Sequence, residues 1–490
     1  ARVTGPVHPL LTPMSSPIST DIDPRTRRLL EAPLTPLLLR LALPNVLIMV
    51  AQASAGLIET WFIGRLGTDA LAGMALVFPI VMLMQMTSGG AMGGGIASAI
   101  ARALGRRDRT QAESLAWAGV LIGVGFGLFF TVALWWGGEA LYRAMGGEGA
   151  SLEAALTYSH TVFAGAVLIW VFNSLAAVVR GTGNMALPAK VVSVGTVLLV
   201  PVSPVLIFGW GPVPALGIAG GALALLLYYL GGTVALCVYL RSSGSLLRLT
   251  RAGLQCRGAL FWSILRVGLL GAVSTVATNL AIGIATALTG HFGPAAIAGY
   301  GTASRLEDLL VPLVFGLGAP LVTIVGTCMG AGLTERALRA TWIGAALAFG
   351  LTEAIGLAAA LFPVAWLSLF GHDPAMLAAG TQYLRIVGPA YGFFGLGLAL
   401  YFASQGAGRL AWPVVGNVVR LLVAGLGGWW ALRAGGGLAM VFAAQAVALV
   451  AYSAINGSVI AGGAWFGRVG WPRSIRSLAA SHHQIAVKQG

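Results

Sequence analysis

Four carboxylates interrupt apolar stretches where a charge is costly: Glu59, Glu307, Asp308 and Glu353. Ionisable groups at bilayer depth face a cavity or a partner, which makes each a functional candidate. Glu59 has no basic residue within four positions on its own helix. Desolvation disfavours the charged form of such a group, so it can take up a proton on one side and release it on the other. The alternative is a neutral glutamate hydrogen-bonded to Ser54 or Thr60, or one paired on another helix. In Arg305-Leu306-Glu307-Asp308, Arg305 and Asp308 lie three apart and share a helix face, where they can pair. Glu307 then points elsewhere, Glu353 on the next span can neighbour it, and Arg420 offers a distant cation. Glu59, Glu307 and Glu353 are therefore the candidate ion-coupling residues, set against a buried charge network that only fixes helix contacts.

A ligand cavity among such acids needs apolar and aromatic walls with a few polar groups. Met82, Met84 and Met86 flank Gln85, and methionines adapt to varied shapes. Phe78, Trp61, Tyr300 and Tyr391 can supply ring faces, while Asn173 and Asn279 lie at mid-span depth. The candidate substrate-binding residues are Asn173, Asn279, Gln85, Phe78, Tyr300 and Tyr391; core packing, lipid contact or helix-to-helix hydrogen bonding are the alternatives. Ser88-Gly89-Gly90-Ala91-Met92-Gly93-Gly94-Gly95 has the glycines of a phosphate loop, but no Gly-Lys-Ser/Thr follows, and close helix packing accounts for it. Cys237, Cys256 and Cys328 fit no metal or redox spacing. No HExxH or GxSxG motif occurs, so the chain is not expected to be an enzyme, nor to carry a cofactor or resident metal.

The elements that must hold these residues are set by composition. The 490 residues are 57% apolar and 9% charged, and the mean hydropathy is +0.87. Too few charges are present to cover soluble domains of this size, so the chain is a polytopic membrane protein. Apolar runs fall near 38–64, 70–103, 113–137, 153–179, 188–209, 215–240, 266–289, 295–328, 340–362, 381–404, 412–432 and 437–463. Each suffices for one crossing, and Pro44, Pro201, Pro204, Pro312 and Pro320 predict bends within them.

Basic residues gather in alternate connections: Arg102, Arg106, Arg107 and Arg109, then Arg241, Arg248, Arg251 and Arg257, then Arg336 and Arg339. This bias places both termini in the cytoplasm. The net charge of +14 follows from the same array and reads as topology and lipid contact rather than nucleic-acid binding. The predicted organisation is a disordered cytoplasmic tail (1–37), a six-helix lobe (38–240), a cytoplasmic linker (241–265), a second six-helix lobe (266–463) and a C-terminal cytoplasmic tail (464–490).

Two segments recur. Gly64-Arg65-Leu66-Gly67 with Ala70-Leu71-Ala72-Gly73 returns 226 residues later as Gly290-His291-Phe292-Gly293 with Ala296-Ile297-Ala298-Gly299. Arg180 to Pro188 returns 225 residues later as Gln405 to Pro413. With six spans each, the halves are parallel repeats about an axis along the membrane normal, a plan that places substrate between them.

The run PNVLIMVAQASAGLIETWFIGRLG from Pro44, then ALAGMALVFP, resembles the first-helix signature of the multidrug and toxic compound extrusion (MATE) transporters. Residues 296–337 and 380–408 resemble second-half segments of that family. The resemblance implies an all-α integral membrane protein of twelve transmembrane helices in two six-helix lobes. It implies antiport that exports amphipathic, cationic organic compounds by rocker-switch alternating access, driven by inward H⁺ or Na⁺. At the family's first-helix aspartate this chain has Glu59. Where NorM-like members carry second-half acids it has Thr278 or Asn279, and Phe394, so H⁺ is the preferred coupling ion. The implied setting is a bacterial inner membrane and a monomer handling small-molecule drugs. A flippase for a lipid-linked precursor is the alternative; it would need several arginines in its cavity, whereas only Arg305 and Arg420 lie deep in spans.

Overall fold

The computed structural model describes residues 23–250, 253–255, 257–463 and 465. These residues are helical apart from turns and one isolated bridge between Trp210 and Val213. After a short α1 (Pro24–Glu31), the first half comprises α2 (Leu34–Gly64), α3 (Thr68–Gln85), α4 (Gly93–Gly105), α5 (Arg109–Ala144), α6 (Gly149–Ala164), α7 (Ala166–Gly181), α8 (Ala186–Phe208) and α9 (Ile218–Arg241). A π-helical turn, Met86–Met92, joins α3 to α4, and a 47° bend joins α6 to α7. The second half comprises α10 (Gly258–Gly290), α11 (Pro294–Gly330), α12 (Thr334–Leu361), the short α13 (Pro363–Leu367), α14 (Pro374–Val387), α15 (Tyr391–Ala407), α16 (Ala411–Arg433) and α17 (Leu438–Ala461). A 3₁₀ turn, Gly388–Ala390, joins α14 to α15. With each broken helix taken as one span, either half crosses six times, giving the twelve helices expected.

The repeat extends to the breaks. The fourth span bends at Gly165, and the tenth breaks at Gly388-Pro389-Ala390, the same place one repeat later. Pro389 has no N–H for the helical ladder, and Gly165, lacking a Cβ, lets the Leu226 side chain press against the bend, so two chemistries produce one feature. Gly183 and Gly408 also correspond, both with positive φ (84° and 73°), and each turns the chain out of one span toward the next.

Two expectations of organisation change. Residues 23–37 were expected in a disordered tail, yet Asp23 caps α1, Pro24 opens it, and Leu29 is buried against Gly183. The Arg336 guanidinium donates to the carbonyls of Leu29 and Ala32, tying this short helix to the second half. Composition hid the helix because its proline is a helix-starting residue. Helix α10 begins at Gly258, inside the stretch expected as linker. Residues 1–22 and 466–490 lie outside the described residues.

Aromatic residues centre a core cluster in each half, and the first cluster continues into the second half through Ile264, Val267, Val322 and Phe402. Tyr142, Phe163, Trp170 and Phe172 centre the first, and Tyr300, Tyr383, Tyr391, Phe394 and Phe442 the second. Leu38 and Ala42 near the start of α2 pack with α11, whereas Ile63 near its end joins the first-half core. Symmetrically, Gly268 and Gly271 of α10 lie against Met92 and Ala91, and its later turns pack on α16 through Ile284 and Leu288.

Candidate functional site

The halves are fastened at one end. Gly105 of α4 and Gly330 of α11 pack reciprocally: a Cβ at Gly105 would collide with the Thr327 carbonyl, and one at Gly330 with the Arg102 carbonyl. Small residues at such a crossing let two backbones touch. The Arg102 guanidinium donates to the Gly406 carbonyl (2.9 Å), and the Thr323 hydroxyl to the Arg180 carbonyl (3.1 Å). Gln405 Nε2 donates to the Gly90 and Ala91 carbonyls, both at 3.3 Å. Those carbonyls belong to the π-helical turn, whose irregular ladder presents backbone oxygen laterally. The glycine run at 88–95 is therefore a packing and latch surface, as its lack of a phosphate-loop lysine implied. These cross-half contacts all lie toward the end bearing Arg102, Arg106, Arg336 and Arg409. In the opposite half of the bundle, the hydrogen bonds and ring contacts described next each stay within one half.

Glu59 is 6% exposed and turns into the first half, toward α6 and α9. The Tyr158 hydroxyl of α6 donates to Glu59 Oε1 at 3.1 Å. Gly221 of α9 lies beside the carboxylate: a Cβ there would sit in van der Waals contact with Oε1, at 3.5 Å. Among the described residues no cation lies within ion-pair distance; nearby Arg65 sits over the Trp61 ring instead (3.9 Å). Thr60, one of the expected partners, spends its hydroxyl on the Gly56 carbonyl. The Ser54 side chain lies outside the described residues. Tyr158 is the partner that sequence reading missed, since a tyrosine 99 positions away carries no local signal.

Glu307 is built differently. The Tyr383 hydroxyl donates to Glu307 Oε1 at 2.6 Å, and Tyr300, Tyr391 and Phe394 pack in the same cluster. Arg420 of α16 is 9% exposed, with its guanidinium over Phe394 at 5.5 Å and close enough to Glu307 to interact through charge. It makes no hydrogen bond or ion pair with any described residue. Arg305 does not form the expected ion pair with Asp308; it lies over Phe370 at 5.5 Å, and both residues are exposed. Glu353 does not join this cluster either. It accepts the backbone N–H of Gly392 at 2.7 Å, in the first turn after the 3₁₀ break. That N–H has no helical acceptor because the break removed it, and the carboxylate supplies one.

The remaining candidates scatter. Asn173 Nδ2 donates to Ser88 Oγ (2.8 Å) and steadies the π-helical turn. Gln85, half-buried, immediately precedes that turn. Phe78 is exposed, as are Met82 and Met86, while Met84 is fully buried. Asn279 is exposed, and its amide returns to the Thr275 carbonyl of its own helix (2.9 Å). Tyr300 and Tyr391 are closed into the second-half core rather than lining open space in this conformation. No group of three or more His, Cys, Asp or Glu side chains suited to a metal occurs among the described residues.

The family model MatE matches residues 44–205 and 271–430, one block in each repeat. The chain is 28% identical over 409 residues to a protein of Shewanella oneidensis named FAD transporter, covering 81% of this chain and 87% of that one. It is 25% identical to a probable multidrug resistance protein NorM of Thermotoga maritima, covering 79% and 83%. In three dimensions it is similar to a structure described as the outward-facing conformation of a multidrug resistance MATE family transporter of the MOP superfamily. There the TM-score is 0.81 at 22% identity, over 89% of this chain and 96% of the other.

Proposed function

This chain belongs to the MatE family of multi-pass membrane transporters, and from that premise we propose that it is an H⁺-coupled exporter of amphipathic organic compounds. One observation carries the reading: Glu59 is enclosed in the first half with a neutral phenol as its described hydrogen-bond donor and no described cation at ion-pair distance. A carboxylate so placed is free to change protonation state, whereas one clamped by arginine is not. The fastened end carries the arginine-rich connections, so by the positive-inside bias the latch is cytoplasmic and this conformation opens outward. Rocking the halves about the axis between the repeats would break the latch and open the opposite path.

The test is efflux of ethidium from proteoliposomes under an imposed pH gradient. Glu59→Gln, inserted at wild-type abundance, is expected to abolish the gradient-driven component. Full efflux by that variant overturns Glu59 as the coupling group. Wild-type efflux that follows a sodium gradient with no pH gradient overturns H⁺ as the coupling ion.

A second reading of substrate charge is favoured by Arg420. A deep guanidinium without a described hydrogen-bond acceptor suits an acid group better than a cation. The relative from Shewanella oneidensis is named for FAD, an aromatic diphosphate anion. On this reading, the transported compound places an acid group on Arg420, whose guanidinium lies over Phe394.

A further inference from the structure

At the foot of α16 lies a pocket of about 140 Å³, bordered by Arg266, Arg409, Trp412, Trp465, Ser404 and Asn456. Its meaning emerges from the corresponding corner of the first repeat. There the turn after α7 carries Asn184, whose side-chain oxygen accepts the Leu187 N–H at 3.2 Å and so plays a cap's part in the first turn of α8. One repeat later Asn184 becomes Arg409 and Leu187 becomes Trp412. A guanidinium accepts no hydrogen bond. No described side chain accepts from the first turn of α16, and the N–H groups of Leu410, Ala411 and Trp412 meet no described acceptor. The cap is lost and a positive charge takes its place.

Three further features converge on the same space. Ser404, which borders the pocket, is 1% exposed, and its hydroxyl has no hydrogen-bond partner among the described residues. Asn456, also 1% exposed, gives its Nδ2 to the Gly397 carbonyl, and its Oδ1 has no hydrogen-bond partner among the described residues. Arg266 brings a second guanidinium from α10. Free helix N–H groups, two guanidinium groups and a buried hydroxyl form a donor set for a tetrahedral oxyanion. Oδ1 of Asn456 remains to accept from a hydroxyl or ammonium group attached to it. Trp412 and Trp465 are the amphipathic aromatics that favour the bilayer interface.

We propose that this corner is a phosphate-binding site, filled by the headgroup of a phospholipid or by free phosphate. The phosphate takes the place at the start of α16 that the Asn184 side chain takes at the start of α8.

The test uses the full chain in phosphatidylcholine nanodiscs, with thermal unfolding followed as phosphatidylglycerol replaces part of the lipid or as inorganic phosphate is added. Phosphatidylglycerol is expected to raise Tm of the wild type by several degrees, and Arg409→Asn to abolish the rise. Because Arg409→Asn restores the cap of the first repeat, its Tm in pure phosphatidylcholine should not fall, which separates lost binding from lost folding. Arg409→Lys, which keeps the charge, retains part of the effect. Protection by inorganic phosphate alone, also lost in Arg409→Asn, assigns the site to free phosphate. Equal protection of wild type and Arg409→Asn, or protection of neither, overturns the proposal.

Discussion

Tyr158 and Tyr383 stand 225 residues apart, at the same place in the two repeats, and each donates its hydroxyl to a glutamate. The glutamates themselves are not equivalent. Glu59 comes from the first span of its half and Glu307 from the second span of the other. The repeat has thus kept the donor and changed which helix supplies the acid. The surroundings divide the roles: Glu59 has no described cation at ion-pair distance, whereas Arg420 lies within electrostatic reach of Glu307. On the proposed reading, the Glu59 site exchanges the proton and the Glu307 site holds a fixed charge pattern beside aromatic rings.

The paired tyrosines give the first prediction. Tyr158→Phe removes the described donor to Glu59, a charge-assisted hydrogen bond worth about 1.5–3 kcal/mol when the acid is ionised. Proton-driven ethidium efflux is expected to fall about tenfold or more. Tyr383→Phe should leave the pH-gradient dependence intact and change the range of compounds handled. Loss of gradient dependence in Tyr383→Phe with none in Tyr158→Phe would reverse the assignment of roles.

Glu353 yields a prediction of the opposite kind. Its carboxylate satisfies the Gly392 N–H, so Glu353→Gln keeps an acceptor and should preserve both Tm and coupled efflux. Glu353→Ala leaves that N–H unsatisfied at a cost of about 1–3 kcal/mol. Thermal unfolding in detergent should show the alanine variant destabilised, with efflux per folded molecule unchanged. A glutamine variant of wild-type Tm that no longer couples would place Glu353 in ion transfer instead.

The span count, the repeat and the deep acids were legible in the sequence because each leaves a local trace: an apolar run, a recurring segment, a charge out of place. What Glu59, Glu307 and Glu353 touch was not legible. The partner of Glu59 is 99 positions away, that of Glu307 is 76, and only folding brings them together. Arg305 and Asp308 illustrate the converse: helical spacing permits their pairing, but a ring from elsewhere in the half offered Arg305 another contact. Helix α1 was hidden because a proline-rich composition reads as disorder until the capping role of Asp23 is seen. The π-helical latch had only its glycines to announce it. Glycine content signals close approach, not the carbonyls that the approach exposes.

The latch itself is testable. Gln405→Ala removes both hydrogen bonds to the π-helical turn, and Arg102→Ala removes the bond to Gly406. Each net hydrogen bond is worth about 0.5–1.5 kcal/mol, so removing all three in the double variant should shift the balance between the two openings at least about tenfold. Spin labels at Thr110 and Leu333, in a background lacking Cys237, Cys256 and Cys328, would report it. The distance distribution should gain a longer component at the expense of the short one. A distribution identical to that of the unsubstituted latch would show that glycine packing alone holds the halves together.

Arg420 decides what sign of charge the second half prefers. Its guanidinium has five donors, a ring beneath it and no described acceptor, so a transported compound with an acid group gains bonds there that ethidium cannot make. Arg420→Met keeps the length and apolar stem of the side chain and removes the charge. In proteoliposomes, aromatic acids such as FAD should compete with ethidium for the wild type and lose about tenfold to a hundredfold in potency against Arg420→Met, the range set by one charge-assisted hydrogen bond of about 1.5–3 kcal/mol. Ethidium efflux by the variant should be equal or higher, because a repulsive charge has gone. Unchanged competition by the acids would return Arg420 to a purely structural role beside Glu307, and a cationic substrate range would then stand alone.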